Sequence, residues 1–547
     1  MKSIFFNQRY IEIVVFFSFF IIGLILYKDF GFNIDEKFHR VNGFYWLNYI
    51  ANFFSLNELV SISENKLQSI SGFTLSDIEY YNKYSIIFDV PAAILEILLN
   101  LNSKIEFYYL RHILVFIYFY FGLIFIYKLF LNRFKTRSVA ILGTILLFLT
   151  PRLFGDSFQN TKDIIFLTFL IISTYYSFKV IENSSIKNIC IFSFLSAVGI
   201  SVRMFGIILP FSLIVMKIIS INENNFKRNI KNIFLVIILH SIFIIMIWPL
   251  LWENPINNLI GYFKILNDYF NAKVFFLGNY YNPSLLPYYY LPVWILISTP
   301  LLHLLLFFLG AVIIIRRFFL RFFSIKTNNP FPDLWRSISE KKDFYILINF
   351  ISFFLILVFL NIKMYNSWRI AYFFNFYIIY FATFSIFLFY SRERYLRIRK
   401  KVFNFILFIL IIFTIVRIVI YHPYQSLYFN IITPKFIKNN VEVDYTGLSS
   451  FEFLNEILDE NKDKNKIRLG VASWYPIWRV LELIDKENKI EIVPIKKNDT
   501  ADILYSNKIS EVDKKFNKKY EIPKNFYKIK EHVIDGVVIY EVYKRKL

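Results

Sequence analysis

Cysteine is almost absent: Cys190 is the single one in 547 residues, and it lies inside an apolar run. A disulfide framework and a cysteine-based metal site are therefore excluded. No glycine-rich phosphate loop, Gly-x-Ser-x-Gly elbow or zincin motif occurs, which removes the chemistries those motifs carry. Charge is sparse, at 19% of the chain, and nearly missing from the long apolar runs. What fills the sequence instead is 56% hydrophobic and 21% aromatic residues, with 67 Phe. Many apolar runs approach the roughly 18–20 residues needed to cross a bilayer, so this is a polytopic membrane protein. The net charge of +22 has no single-face basic motif beside it, which argues against nucleic acid as a partner.

Apolar runs fall at about 11–27, 111–130, 138–150, 163–181, 186–202, 204–220, 231–250, 290–315, 344–362, 369–390 and 402–420. The first has Lys2 and Arg9 before it and no small-residue cleavage site after it, and reads as an uncleaved span. Basic residues mark every second connection: Lys128, Arg133, Lys135 and Arg137; Lys187; Lys227, Arg228 and Lys231; Arg316, Arg317, Arg321 and Lys326; and Arg392 to Lys401. Lys and Arg concentrate in cytoplasmic loops. That rule predicts about eleven spans, with the N-terminus inside and the C-terminus outside. The stretch Tyr84 to Asn100 carries Asp89, Pro91 and Glu96, too polar for a lipid-facing span, and is expected as a re-entrant or juxtamembrane helix.

This topology divides the chain into a transmembrane part, 1–425, and an external α/β domain, 426–547. External loops are expected at 28–83, 151–163, 248–290 and 362–369. After His422 the composition turns to Lys, Glu, Asp and Asn. Ile467–Ser473 and Ile490–Ile495 read as strands with a helix-like Trp474–Leu483 between them, and Asp502–Ser506 as a third strand. Tyr527–Val533 and Val537–Val542 flank Asp535-Gly536, a two-residue hairpin signal. A lid or partner-binding module is expected there rather than a second active site.

On this map the polar clusters gather on the expected external side. Asp35 and Glu36 follow the first span, where a partly buried carboxylate can take a proton from a hydroxyl; a solvated loop acid is the ordinary alternative. Pro151–Asp163 gathers Arg152, Asp156, Asn160, Lys162 and Asp163, and Arg203 falls in the turn between the fifth and sixth runs. Arg152, Lys162 and Arg203 suit an anionic group such as a lipid-linked phosphate, or else snorkel to headgroups. Asp163 starts a helix and is either an N-cap or a site carboxylate. Arg111-His112 opens the second span, where a structural role is the plainer reading. Trp248–Tyr290 reads as an interfacial helix with aromatics around it. Tyr365–Arg369 is an aromatic cluster with an arginine, either a membrane-belt anchor or part of the site.

An Asp-Glu pair after the first span is typical of type C glycosyltransferases, which use polyprenyl-phosphate sugars. Asn33–Glu36, Tyr109–His112, Pro151–Asp163, Gly199–Arg203, Trp248–Trp252, Tyr365–Arg369 and His422–Gln425 make the chain resemble glycosyltransferase family 39. Its relatives are the protein O-mannosyltransferases and the lipid A aminoarabinose transferases. The resemblance covers about residues 1–425 and implies an external catalytic cavity under the first loop. It implies Asp35 as the base or as the acid positioning the acceptor, with Glu36 beside it. The aminoarabinose enzymes carry Glu-Lys-Pro in the first loop, whereas this chain has Asn82-Lys83-Tyr84. Lys83 is thus implied as a phosphate contact, together with Arg111, His112, Arg152, Asp156, Asn160, Lys162, Asp163, Arg203 and Arg369 as substrate-binding residues. A divalent cation is a conceivable helper, though no metal site is legible. The partners implied are a polyprenyl-phosphate sugar donor, a lipid, protein or glycan acceptor, and the membrane. The expected location is a bacterial inner membrane with the site facing the periplasm. The competing readings are a transporter or flippase of an anionic lipid or sugar, and a non-catalytic envelope assembly protein. A transporter predicts charge at mid-span and internal repeats, neither of which is visible.

Overall fold

The computed structural model describes residues 2–70, 85–221, 225–268, 273–323, 334–360, 362–391, 397–463, 465–484, 489–507 and 518–546. All eleven apolar runs form helices. By length and composition, eight of these helices can cross a membrane: α1 (Lys2–Leu26), α5 (Lys104–Phe134), α8 (Asp163–Glu182), α11 (Phe226–Ile247), α14 (Leu301–Phe323), α15 (Ile338–Phe359), α16 (Phe374–Ser391) and α17 (Arg397–Ile420). The chain is an integral membrane protein. The other three runs make shorter helices: α6 (Arg137–Phe148), α9 (Ile186–Val202) and α10 (Ile208–Ile219). Together with α7 (Pro151–Gln159), α6 passes as a ninth span, but the pair bends by 67°. Pro151 sits at the start of α7, where its missing N–H costs nothing and its ring cannot continue the preceding helix. Gly155 lets α7 lie against the turn at Gln425–Leu427, because a methyl there would stand 2.6 Å from the Ser426 nitrogen.

Over its described residues, 28–70, the first long connection, expected as a loop, is largely helical: α2 (Glu36–Phe53) and α3 (Asn57–Ser69) fold back on each other. The face of α2 toward the core mixes Val41, Phe44 and Leu47 with Glu36, His39, Arg40 and Asn42, all buried. That mixture hides the helix from a search for apolar runs. Its polar members are matched by α4 (Ile86–Leu98) and α5. Glu96 on α4 takes both Arg40 Nε and Nη2, at 3.0 and 2.6 Å. Asp89 on α4 takes Asn42 Nδ2 at 2.6 Å. Glu36 Oε2 meets His112 Nε2 on α5 at 3.0 Å. At 13 residues, α4 spans about 20 Å, short of the roughly 30 Å hydrocarbon core.

The interfacial stretch expected within 248–290 contains α12 (Pro255–Asp268), followed by the hairpin of β1 (Val274–Phe276) and β2 (Asn279–Tyr281). A short α13 (Tyr290–Ser298) precedes α14. Beyond α17 the chain wraps the helical body before any sheet begins. Asn430 N donates to Ile297 O at 2.9 Å, and Phe276 bridges Val441. The C-terminal sheet orders its strands β4-β3-β5-β7-β6, with β3 (Ile467–Val471), β4 (Ile490–Ile492), β5 (Ile503–Asn507), β6 (Phe526–Ile534) and β7 (Val537–Arg545). β3 pairs parallel with β4 and β5, while β7 pairs antiparallel with β5 and β6. Asp535 and Gly536 make the β6–β7 turn, both with positive φ (52° and 74°), as the two-residue hairpin requires. The helix expected at 474–483 is a single turn, Trp478–Leu481. The other helices of this region are Lys435–Asn439 and Ser449–Glu460.

At the far end of α5 from His112, Arg133 makes a two-pronged pair with Asp343 of α15, at 2.6 and 2.5 Å. Arg317 of α14 and Tyr380 of α16 reach the same carboxylate at 2.5 and 2.7 Å. One buried carboxylate thus joins four helices, and deleting it leaves Arg133 buried without its charge partner. Asp343→Ala should cost about 3–5 kcal/mol, read as a lowered midpoint of thermal unfolding in detergent micelles.

Candidate active site

A cavity of about 500 Å³ opens where the start of α2, the α7–α8 turn, the end of α9 and the Tyr365–Arg369 turn meet. Each of these is a helix terminus or a break, where backbone and polar side chains are free of the apolar packing that fills the helices.

Asp35 stands just before α2. Asn33 shapes its approach: Asn33 Oδ1 accepts from Asp35 N at 2.9 Å, and Asn33 N donates to Glu36 Oε1 at 2.7 Å. The C-terminal region grips the same segment. Ile34 N donates to Thr446 O at 3.1 Å, Arg479 Nη1 donates to Ile34 O at 3.2 Å, and Lys37 Nζ meets Glu482 at 2.7 Å. Arg369 Nη2 contacts Asp35 Oδ2 at 2.6 Å, and the Asp35 side chain keeps 40% exposure toward the cavity. Burial pulls the Asp35 carboxyl upward, but Arg369, His39 and Arg479 together outweigh it and hold the group below its ordinary range.

Arg369 is presented by a turn in which Asn366 and Ser367 adopt left-handed backbone, φ 56° and 57°. Neighbours from distant parts of the chain hold this conformation, which is costly for residues other than glycine. Tyr290 OH donates to Ser367 O at 2.9 Å, and Trp368 Nε1 donates to Ser298 Oγ at 2.8 Å. Arg152 Nη1 donates to Ser367 Oγ at 3.3 Å, and Glu442 Oε2 accepts from Ser367 N at 3.4 Å.

Asn160 organises the opposite wall. Its Oδ1 accepts from Asp163 N at 2.9 Å, and its Nδ2 bridges the Asp156 and Asp163 carboxylates at 3.1 Å each. Asn160 therefore does the capping work considered for Asp163, whose own carboxylate pairs with Arg203. Arg203 follows α9 in extended backbone, which turns its side chain back to α8. Burial first, and Arg203 second, lower the Lys162 ammonium well below its ordinary range.

Of the residues expected from sequence, Asp35, Asn160, Lys162, Asp163, Arg203 and Arg369 line this cavity. Glu36 does not; it is 1% exposed and turned to His112, whose Nδ1 lies 3.1 Å from Tyr27 O. Arg111 is buried beside Glu96, at 3.6 Å. Arg152 neither snorkels nor faces the cavity: it is 2% exposed, donates from Nε to Tyr428 O at 2.9 Å, and lies over the Trp294 and Phe429 rings. Asp156 is buried under Asn160. Lys83 lies outside the described residues. The cavity also holds Gln159 and Tyr365, from the two polar segments read in the sequence, and His39 and Thr161, which were not singled out. His39 is four residues after Asp35, and helical spacing would have placed it on the same face had α2 been expected. Among the described residues no group of three or more His, Cys, Asp or Glu side chains could hold a metal ion.

Burial pushes the Glu442 carboxyl up to about 7, against the lowering effect of N–H groups from Phe275, Ser367 and Asn366. A carboxyl raised from 4.5 to about 7 favours the fold in its protonated form. Its contribution is full below 4.5 and lost as pH rises to about 7. Glu442→Gln should flatten this part of the unfolding midpoint against pH, leaving the variant more stable than the parent on the alkaline side of the window.

No curated protein matches this chain. Two crystal structures of ArnT from Cupriavidus metallidurans are similar to it, one in the apo state and one bound to undecaprenyl phosphate. They share 10% and 9% identity and TM-scores of 0.48 and 0.47, each over 97% of this chain and 97% of that chain. The stretch that supplies Asn160, Lys162, Asp163 and Arg203 to the cavity is the one a family model recognises. Residues 89–248 match the dolichyl-phosphate-mannose-protein mannosyltransferases, and the resemblance read from the sequence is borne out there.

Proposed function

We propose that this protein is a membrane glycosyltransferase that moves a sugar from a polyprenyl-phosphate donor to a hydroxyl acceptor at the external membrane face. The observation that carries this reading is the convergence of one exposed carboxylate, Asp35, with Lys162, Arg203 and Arg369 in a single cavity at the ends of apolar helices. A lipid-linked phosphate has its charged group at that depth and its chain in the bilayer. The matched family description adds the donor class, a dolichyl phosphate carrying mannose.

In this reading the cationic side chains receive the donor phosphate by charge-assisted hydrogen bonds. The acceptor oxygen attacks the anomeric carbon from the side opposite the phosphate, and its proton passes to Asp35. The bond from the anomeric carbon to the phosphate oxygen breaks with its electron pair on the phosphate, so the centre inverts. Arg203 stabilises the charge that develops there, and Lys162 donates a hydrogen bond to it. Arg369 serves both parts, because a bound phosphate competes with Asp35 for its guanidinium.

Asp35→Asn should lower transfer from labelled polyprenyl-phosphate sugars at least about a hundredfold in the protein reconstituted in nanodiscs, with its unfolding midpoint unchanged. A folded variant with full activity would rule Asp35 out as the proton acceptor. The external orientation rests on the distribution of basic loops. A cysteine replacing Trp474, 51% exposed, in a Cys190→Ser background should react with an impermeant maleimide only from outside sealed cells. Labelling only after permeabilisation would reverse the orientation.

A further inference from the structure

His39 sits between two cavities. It lines the 500 Å³ chamber with Asp35 and also an adjoining one of about 250 Å³, and Thr161 and Lys162 share both walls with it. Its ring is held from behind: Nδ1 lies 3.1 Å from Asp89 Oδ2, which also accepts from Asn42 Nδ2 at 2.6 Å. His39, Asn42 and Asp89 are 8%, 0% and 2% exposed. A carboxylate only accepts, so the hydrogen in this contact belongs to Nδ1. In the neutral ring, Nε2 then carries the lone pair, the arrangement of a base oriented by a second-rank carboxylate.

Docking of α2 does not require this histidine. Arg40 with Glu96, and Asn42 with Asp89, already join α2 to α4, and Glu36 with His112 joins it to α5. Asp35, one helical turn away, is a poor final holder of a proton, because Arg369 stabilises its charged form. A proton accepted there is readily passed on to another acceptor in the cavity.

We propose that His39, oriented by Asp89, is the proton carrier of this site, taking from Asp35 the proton that leaves the acceptor hydroxyl. This rests on the sugar-transfer reading above. The O–H bond of the acceptor breaks as its oxygen bonds the anomeric carbon, and the electron pair of the broken carbon–oxygen bond leaves on the donor phosphate. The proton moves to Asp35, then to His39 Nε2, and returns from the imidazolium to the released phosphate or to water. The charged groups sharing the cavity with His39 are Asp35 from its own helix start, Lys162 and Asp163 from the α7–α8 turn, Arg203 from the end of α9, and Arg369. Asp89 faces it from α4.

The test uses the full chain in nanodiscs with a polyprenyl-phosphate mannose as donor. His39→Asn keeps a donor toward Asp89 but cannot carry a proton. It should lower kcat about a hundredfold or more while KM stays within about threefold, and the limb of the kcat–pH profile present in the parent should vanish. Asp89→Asn offers an amide donor to Nδ1 and forces the wrong tautomer, so it should produce a comparable loss with α2 still docked. Added imidazole should restore His39→Gly at least about tenfold, a rescue that a purely structural histidine does not allow. A folded His39→Asn protein with parental kcat and pH profile overturns the proposal, and if Asp35→Asn is inactive in the same assay the sugar-transfer reading survives. No transfer by the parent protein from any polyprenyl-phosphate sugar overturns both.

Discussion

An ionised side chain packed among apolar helices must meet an opposite charge or a water-filled space, because its hydration is otherwise lost without return. That constraint organises this protein from one end to the other. At one end of α5, Asp343 gathers Arg133, Arg317 and Tyr380 and so ties four helices by a single carboxylate. At the other end, His112 takes Glu36, while Glu96 and Asp89 of α4 take Arg40 and Asn42. These pairs seat α2, and the seat of α2 sets where Asp35 and His39 stand. The cavity is the place where pairing is left open to a guest: Asp35 keeps contact with Arg369, and Asp163 with Arg203, yet both pairs face the same chamber.

Precision in that chamber comes from parts of the chain far from it. The turn bearing Arg369 has two left-handed residues, and it is held by Tyr290 and Ser298 of α13, by Arg152 and by Glu442, which come from three separate segments. The segment bearing Asp35 is held by Thr446, Arg479 and Glu482. The region after α17 is thereby built into the site's support, which gives the small sheet and its approach a mechanical role beyond that of an appended module. The same arrangement explains why buried Arg152 matters without lining the cavity: it supports the loop that carries the arginine that does.

The apolar runs announced all eight helices long and apolar enough to cross a membrane, because a continuous hydrophobic stretch has few alternatives to a helix there. The five C-terminal strands were legible for the same kind of reason, with Asp535-Gly536 marking its hairpin through the positive φ both residues adopt. What the pattern missed was α2, whose buried face alternates Val41, Phe44 and Leu47 with Glu36, His39 and Arg40. A polar residue buried against a partner looks, in sequence, like one facing water. The same ambiguity affected the site. Arg152 and Lys162 lie ten residues apart in one polar segment, yet one stacks on Trp294 and Phe429 while the other lines the cavity.

By itself the sequence determined that this chain lives in a membrane, that its polar clusters gather at helix ends, and that a small mixed sheet follows, because hydrophobic periodicity and turn chemistry are local properties. Tertiary structure alone decided which charges share a chamber. Asp35 and Arg369 are 334 residues apart and touch at 2.6 Å, while neighbouring Asp35 and Glu36 face different partners. Adjacent residues on a helix start point about 100° apart, and only the packing of α2 against α4 and α5 determines which of the two is buried and which is offered to a substrate.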